Sequence, residues 1–214
     1  MLAIPSAARV RPWLGRLPTR CRGLAAPSKR EPLSHDVDQT TGLCAGGLVR
    51  IGRCASLRKG LGAFAATDIA TGDELGTYAG ERISFGELLM RYGGAGGVDG
   101  APGGYEHANR QAAWTAEREA RGVGVTGSYL FNAGACPSTG RDVLIDGEDP
   151  QFANWTRYVN HSARPNLVIE RQVLAGGTAP VVSFVAQRPI APGEELTFDY
   201  ADGYDLQEVL DFDD

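Results

Sequence analysis

Cysteine is scarce in this 214-residue chain, and its scarcity excludes several architectures. The four thiols, Cys21, Cys44, Cys54 and Cys136, form no C-x-x-C pair. Their gaps fit neither a zinc site nor a dense disulfide framework, so free thiols in a reducing compartment are expected. Long apolar runs are missing too. None approaches the roughly 20 residues that cross a bilayer, so no membrane span is expected. Hydrophobic residues make up 43%, enough for an ordinary globular core.

Acidic residues are absent from the first 30 positions, where Arg9, Arg11, Arg16, Arg20, Arg22, Lys29 and Arg30 give +7. The rest of the chain sums to −12 within an overall −5. Such an acidic body repels phosphates, so no direct nucleic-acid partner is expected. Its charge fits either attraction of a basic peptide or simple solubility. The first 30 residues are broken by Pro5, Pro12, Pro18 and Pro27 and have no long apolar stretch. Their composition fits an organelle transit peptide or a disordered basic tail. Residues 1–45 are therefore set apart from the folded body.

From Leu48 onward, short apolar stretches punctuated by glycine read as short strands and tight turns. Ala70-Thr71-Gly72-Asp73 is a turn signal. Ser84 is placed to cap a helix over Phe85–Tyr92, with Glu87 in the capping-box position. Residues 92–104 contain seven glycines in thirteen positions and read as a flexible insertion. A helix is expected over about Glu106–Arg121, which is rich in Ala, Glu, Gln and Arg. Strands follow at Ser128–Asn132, Val143–Asp146, Asn166–Leu174, Val181–Gln187 and Glu195–Tyr200, the third and fourth joined as a hairpin across Gly176-Gly177. Asp205–Phe212 reads as a short terminal helix. Many short strands with few helices predict a mainly β (α+β) fold of several small sheets.

Four segments carry the candidate chemistry. Lys59-Gly60-Leu61-Gly62 leads to Tyr78-Ala79-Gly80-Glu81. Glycines one residue apart let backbone approach a ligand closely, although a lone G-x-G is more often a turn. Ser128-Tyr129-Leu130-Phe131 starts an apolar strand. Arg157-Tyr158-Val159-Asn160-His161-Ser162, continuing to Pro165-Asn166, puts amide and imidazole groups where a core would not want them, and buried polar groups need partners. Glu194-Glu195-Leu196-Thr197-Phe198-Asp199-Tyr200 is an acidic, aromatic strand.

In this order and spacing, over about residues 46–201, the four segments resemble the SET domain of protein lysine methyltransferases. The resemblance implies several small β-sheets and a C-terminal pseudoknot. It implies transfer of a methyl group from S-adenosyl-L-methionine to a lysine ε-amine, with cofactor and peptide entering from opposite faces. By the same resemblance Lys59, Gly60, Leu61, Gly62, Arg157, Asn160 and His161 match cofactor-binding positions. Tyr129 and Tyr200 match the tyrosines of the lysine channel, with Tyr200 nearest the transferring methyl. Phe198 matches the channel position that is Phe or Tyr in the family.

The chain departs from the histone-directed pattern at Ala163, where many members carry cysteine, and it has no cysteine after Cys136. No zinc is therefore expected. Residues 202–214, with Tyr204, Leu206, Val209, Leu210 and Phe212, either cover the channel in its place or form a frayed acidic end. Ala153-Asn154 replaces the usual Gly-Asn. The implied partner is a basic, lysine-bearing protein, a histone tail first and an organellar protein second, acted on by a monomer. The corresponding locations are the nucleus, or a plastid or mitochondrion. An inactive SET module used for protein binding is the contrasting reading, and the intact Tyr129, Asn160, His161 and Tyr200 argue against it.

Overall fold

In a computed structural model, the protein is described over residues 33–55, 60–93, 104–173 and 179–200. The expected small sheets are present. β1 (Leu43–Cys44), β2 (Val49–Arg53) and β3 (Leu61–Ala65) form an antiparallel sheet in the order β1-β2-β3. β4 (Glu74–Thr77) pairs with β10 (Val181–Ala186), which pairs with β9 (Leu167–Gln172). β5 (Glu81–Ile83), β7 (Asp142–Asp146) and β6 (Leu130–Ala135) form the third sheet, in the order β5-β7-β6. β8 (Asn160–His161) and β11 (Thr197–Phe198) pair in parallel.

Each small sheet leaves an apolar face that must be covered, and these faces meet in one core. Val49 and Ala63 from the first sheet, Val182 and Phe184 from the second, and Phe131 and Ile145 from the third are all buried there. Trp155, Leu196 and Phe198 complete it. A smaller cluster of Ile83, Leu88, Leu130 and Leu144 seats the first helix.

Residues 33–44, which the sequence places in the N-terminal segment, pack into the same core. Val37 and Cys44 are buried in it. The Ser34 amide donates to the Tyr158 hydroxyl, and an Asp36 carboxylate oxygen accepts from the Trp155 amide. Burial, reinforced by Asp36, pushes the Cys44 thiol up to about 12.

The first helix, α1 (Phe85–Tyr92), starts where Ser84 predicts it: the Ser84 hydroxyl accepts from the Glu87 amide at 3.2 Å. The Glu87 carboxylate accepts from Arg91 one turn later, at 2.7 Å. α2 runs Gly104–Ala120, two residues earlier at its start than the composition suggests. Its Trp114 meets Tyr92 edge-on at 5.3 Å, with the Arg118 guanidinium 4.7 Å from the indole.

Beneath the helices lies a buried ion cluster. Arg91 donates to Asp146 at 2.7 Å and to Glu81 at 2.9 Å, and Arg118 pairs with Glu81. Burial alone would lower the Arg91 pKa, but Glu81, Asp146 and Glu87 hold it above its usual value. Two helices are thereby tied to β5 and β7.

Two further segments differ from expectation. Strand pairing over Glu195–Tyr200 is limited to Thr197–Phe198, because the chain changes partner midway. Glu195 bridges Phe64 and the Leu196 amide donates to the Ala63 carbonyl, before Thr197 and Phe198 turn to β8. Tyr129 lies in a turn ahead of β6 rather than on the strand. Lys59, the Gly176-Gly177 turn, most of the glycine-rich insertion and residues 201–214 lie outside the described residues.

Candidate cofactor and substrate site

Parallel pairing of β8 with β11 builds the site. Asn160 lies opposite Thr197 and His161 opposite Phe198. Residues 162–166 then hold the end of β11: the Ser162 amide donates to the Phe198 carbonyl and the Asn166 amide to the Thr197 carbonyl. The fully buried Asn166 side chain accepts from the Thr197 amide at 2.8 Å and donates to the Glu195 carbonyl at 2.8 Å. This is the crossing that the expected pseudoknot requires. It brings the N-H-S-x-x-P-N segment and the last motif together although about 40 residues separate them in sequence.

The turn into β8 is set by Asn154, whose side-chain oxygen caps a single 3-10 turn at Trp155–Tyr158 by accepting from the Thr156 amide. That turn places Arg157, which is buried, with its guanidinium 4.0 Å from the centre of the Tyr129 ring. Two expected residues from separate segments thus meet, a cation over an aromatic ring.

Asn160 is fixed by what surrounds it. Its Nδ2 donates to the Leu61 carbonyl at 3.1 Å and to Glu195 Oε1 at 2.9 Å, and it lies 3.3 Å from Cys54 Sγ. The G-x-G segment therefore meets the N-H-S segment directly. Gly62 explains itself here: a Cβ would lie 2.6 Å from Cys54 Sγ and 3.0 Å from Asn160 Nδ2. Gly60 has φ +69°, a conformation that side chains disfavour.

His161 is half exposed, and its Nδ1 accepts from the Tyr200 amide at 3.2 Å. Its ring lies 5.3 Å from that of Tyr200. The Tyr200 hydroxyl donates to the Val159 carbonyl at 3.4 Å. Burial raises the Tyr200 pKa, with nearby Tyr129 pushing the same way, so the phenol stays protonated at neutral pH. Phe198 is buried, stacked on Phe131 at 5.7 Å and edge-on to Phe184 at 5.1 Å, with Tyr200 4.9 Å away.

Tyr78 stands in the first motif, and the sequence alone assigns it no role. The structure gives it one, since its hydroxyl donates to the Tyr129 carbonyl and its ring lies 4.8 Å from Phe131. Glu195 and Cys54 were likewise missed. Only the fold reveals that they share the Asn160 amide.

The profile of the SET domain matches residues 60–201, about two-thirds of the chain, and the chain belongs to that family. It is 31% identical over 126 residues to the H3 lysine-4 specific histone-lysine N-methyltransferase of Schizosaccharomyces pombe, covering 59% of this chain and 11% of that one. It is 38% identical over 77 residues to histone-lysine N-methyltransferase ASHH3 of Arabidopsis thaliana, covering 36% of this chain and 18% of that one. With EZH2 of Chaetomium thermophilum it shares 26% identity over 196 residues, 87% of this chain and 11% of the relative. The chain thus spans less than a fifth of the length of these relatives. Among solved structures, apo Polycomb Repressive Complex 2 from Chaetomium thermophilum in an autoinhibited state superposes with a TM-score of 0.49 at 24% identity, over 76% of this chain and 16% of that one.

Proposed function

We propose that the protein is a protein-lysine N-methyltransferase that uses S-adenosyl-L-methionine. The observation that carries this reading is the meeting of Asn160, Leu61, Arg157, Tyr129 and Tyr200 around the β8–β11 crossing. The donor set suits that cofactor. Asn160 and His161 on one strand offer amide, imidazole and backbone groups for its adenine and amino-acid ends, and the backbone at Gly60-Leu61-Gly62 closes on the same strand. Among the described residues the Asn160 Oδ1 has no partner, which leaves it an acceptor for a ligand amine.

When bound, the cofactor supplies an electrophilic methyl group on a sulfonium. The chain's own part is to bring an uncharged amine in line with it. A lysine near pKa 10.4 is mostly protonated at neutral pH and cannot attack. Tyr129, Phe198 and Tyr200 provide an aromatic, water-poor surround that disfavours the ammonium and lowers that pKa. The protonated Tyr200 hydroxyl keeps lone pairs to orient the amine, and alignment supplies most of the acceleration. The design calls for no metal and no covalent nucleophile.

The substrate we infer is a basic, lysine-bearing protein, with a histone tail first. The acidic balance of residues 31–214 and the names of the relatives support it. An organellar protein is the second reading, favoured by the arginine-rich first 30 residues. Incubation with labelled cofactor and a chelator, on histones and on whole-cell protein, tests these proposals. Label in histone lysines is expected. Label confined to an organellar protein selects the second reading, and no label in either sample refutes the activity.

A further inference from the structure

Asn160 has one carboxamide, and the fold decides which end faces outward. Its NH2 is drawn to three acceptors on one side: the Leu61 carbonyl, Glu195 Oε1 and Cys54 Sγ. The first is a fixed backbone acceptor. The second belongs to a carboxylate, which accepts and, when ionised, never donates. Turning the amide over would set its oxygen against both, trading two attractions for two repulsions. Glu195 is itself held. It bridges Phe64 in β3, its carbonyl accepts from Asn166 Nδ2 at 2.8 Å, and the Cys54 thiol reaches Oε1 at 3.5 Å. The missing Cβ at Gly62 leaves room for the group, since a Cβ there would lie 3.2 Å from the same Oε1.

We propose that Glu195 is a positioning residue for ligand capture: it locks the Asn160 amide with Oδ1 outward, so that the site selects a nucleoside ligand carrying a free ammonium. The inference rests on the methyltransferase reading, which supplies such a ligand. Glu195 does not touch the ligand in this account. It acts through Asn160, with Cys54 filling the space behind the amide. A glutamine at position 195 keeps the shape but can present its own NH2. The Asn160 amide then gains access to both orientations.

Two measurements on the full chain test this. Calorimetry gives the affinities for S-adenosylhomocysteine, which has the amino-acid end, and for 5′-methylthioadenosine, which lacks it. Glu195→Gln should lose roughly tenfold or more of its affinity for the first, the usual worth of a hydrogen bond to a charged group. Affinity for the second should stay unchanged and also reports that the variant is folded. In parallel, the Asn160 side-chain N–H resonances, identified by their loss in Asn160→Ala, should move upfield in Glu195→Gln as the bond to a carboxylate is lost. An unchanged preference between the two nucleosides, or unmoved resonances, overturns the proposal. A wild-type protein that binds neither nucleoside refutes the methyltransferase reading instead, and the resonances then decide the amide lock alone.

Discussion

The Tyr78 hydroxyl donates to the Tyr129 carbonyl across 2.7 Å, and this one bond joins the end of β4 to the turn that carries Tyr129, which we propose lines the lysine channel. The same carbonyl accepts from the Gly147 amide at 3.0 Å, so Tyr129 is held from two sides. Tyr78→Phe removes one hold and leaves the other. A stability loss of about 0.5–1.5 kcal/mol is expected, the net worth of one hydrogen bond. Turnover should change more than cofactor affinity, because Tyr129 faces the substrate in this account. Urea unfolding and steady-state kinetics on one preparation check both halves.

Tyr200→Phe separates chemistry from binding. The bond from the hydroxyl to the Val159 carbonyl is long, at 3.4 Å, so its loss should cost little stability. Turnover should fall by about a hundredfold or more, as when a group that aligns the reacting atoms is removed. Affinity for S-adenosylhomocysteine should hold. Near-normal kcat on a verified substrate would mean that Tyr200 is misassigned.

In the proposed reaction, Phe198 would bear on how many methyl groups are added. A tyrosine there would offer a hydroxyl to hold a water beside the amine, filling the space a methylated amine needs for another transfer. Phenylalanine holds no such water, so di- or trimethyl-lysine is expected from the natural protein. Phe198→Tyr should shift product toward monomethyl-lysine, and an effect of about 1–3 kcal/mol would move the mixture roughly fivefold or more. Intact-mass spectrometry of a peptide reads the outcome. Monomethyl product alone from the natural protein at long times would rule the idea out.

The ion cluster makes a stability prediction. Asp146 is fully buried and accepts from Arg91 and from the Tyr92 hydroxyl. Asp146→Asn strands buried positive charge. Breaking a buried pair by removing one partner costs about 3–5 kcal/mol, a large share of a domain's stability. The denaturation midpoint should fall sharply. A change within a few tenths of a kcal/mol would show that Glu81 and Glu87 alone neutralise Arg91 and Arg118.

Glu148 gives a pH dependence. Its carboxyl is buried, and burial raises its pKa, with Asp146 pushing the same way and Thr126 and Arg157 opposing. A raised acid prefers its neutral form in the folded state. Its contribution is therefore present below the unfolded pKa and is lost as pH rises through the folded value. Glu148→Gln should raise the melting temperature at pH 8, with the advantage shrinking toward pH 4. Equal melting curves at pH 8 would contradict the assignment.

Much of the fold was legible because its signals are local. Short apolar stretches bounded by glycine marked β2 and β10, Ser84 marked the start of α1, and the glycine-rich stretch marked the break before α2. The shortening of the last strand was not legible, because it depends on Ala63 and Phe64 competing with β8 for one segment. The candidate site residues were read from motif order rather than periodicity. What the motifs could not show was second partners. Arg157 over Tyr129, Tyr78 on the Tyr129 carbonyl and Glu195 on Asn160 are all contacts between distant segments that no local pattern encodes.

The most direct test of the central claim is the identity of the labelled residue. Purified protein is incubated with methyl-labelled S-adenosyl-L-methionine and histones, and the protein product is hydrolysed to amino acids. Label recovered as methylated lysine, and lost in Tyr200→Phe, is the predicted result. Label recovered in another residue, or equal label from the variant, would contradict the account.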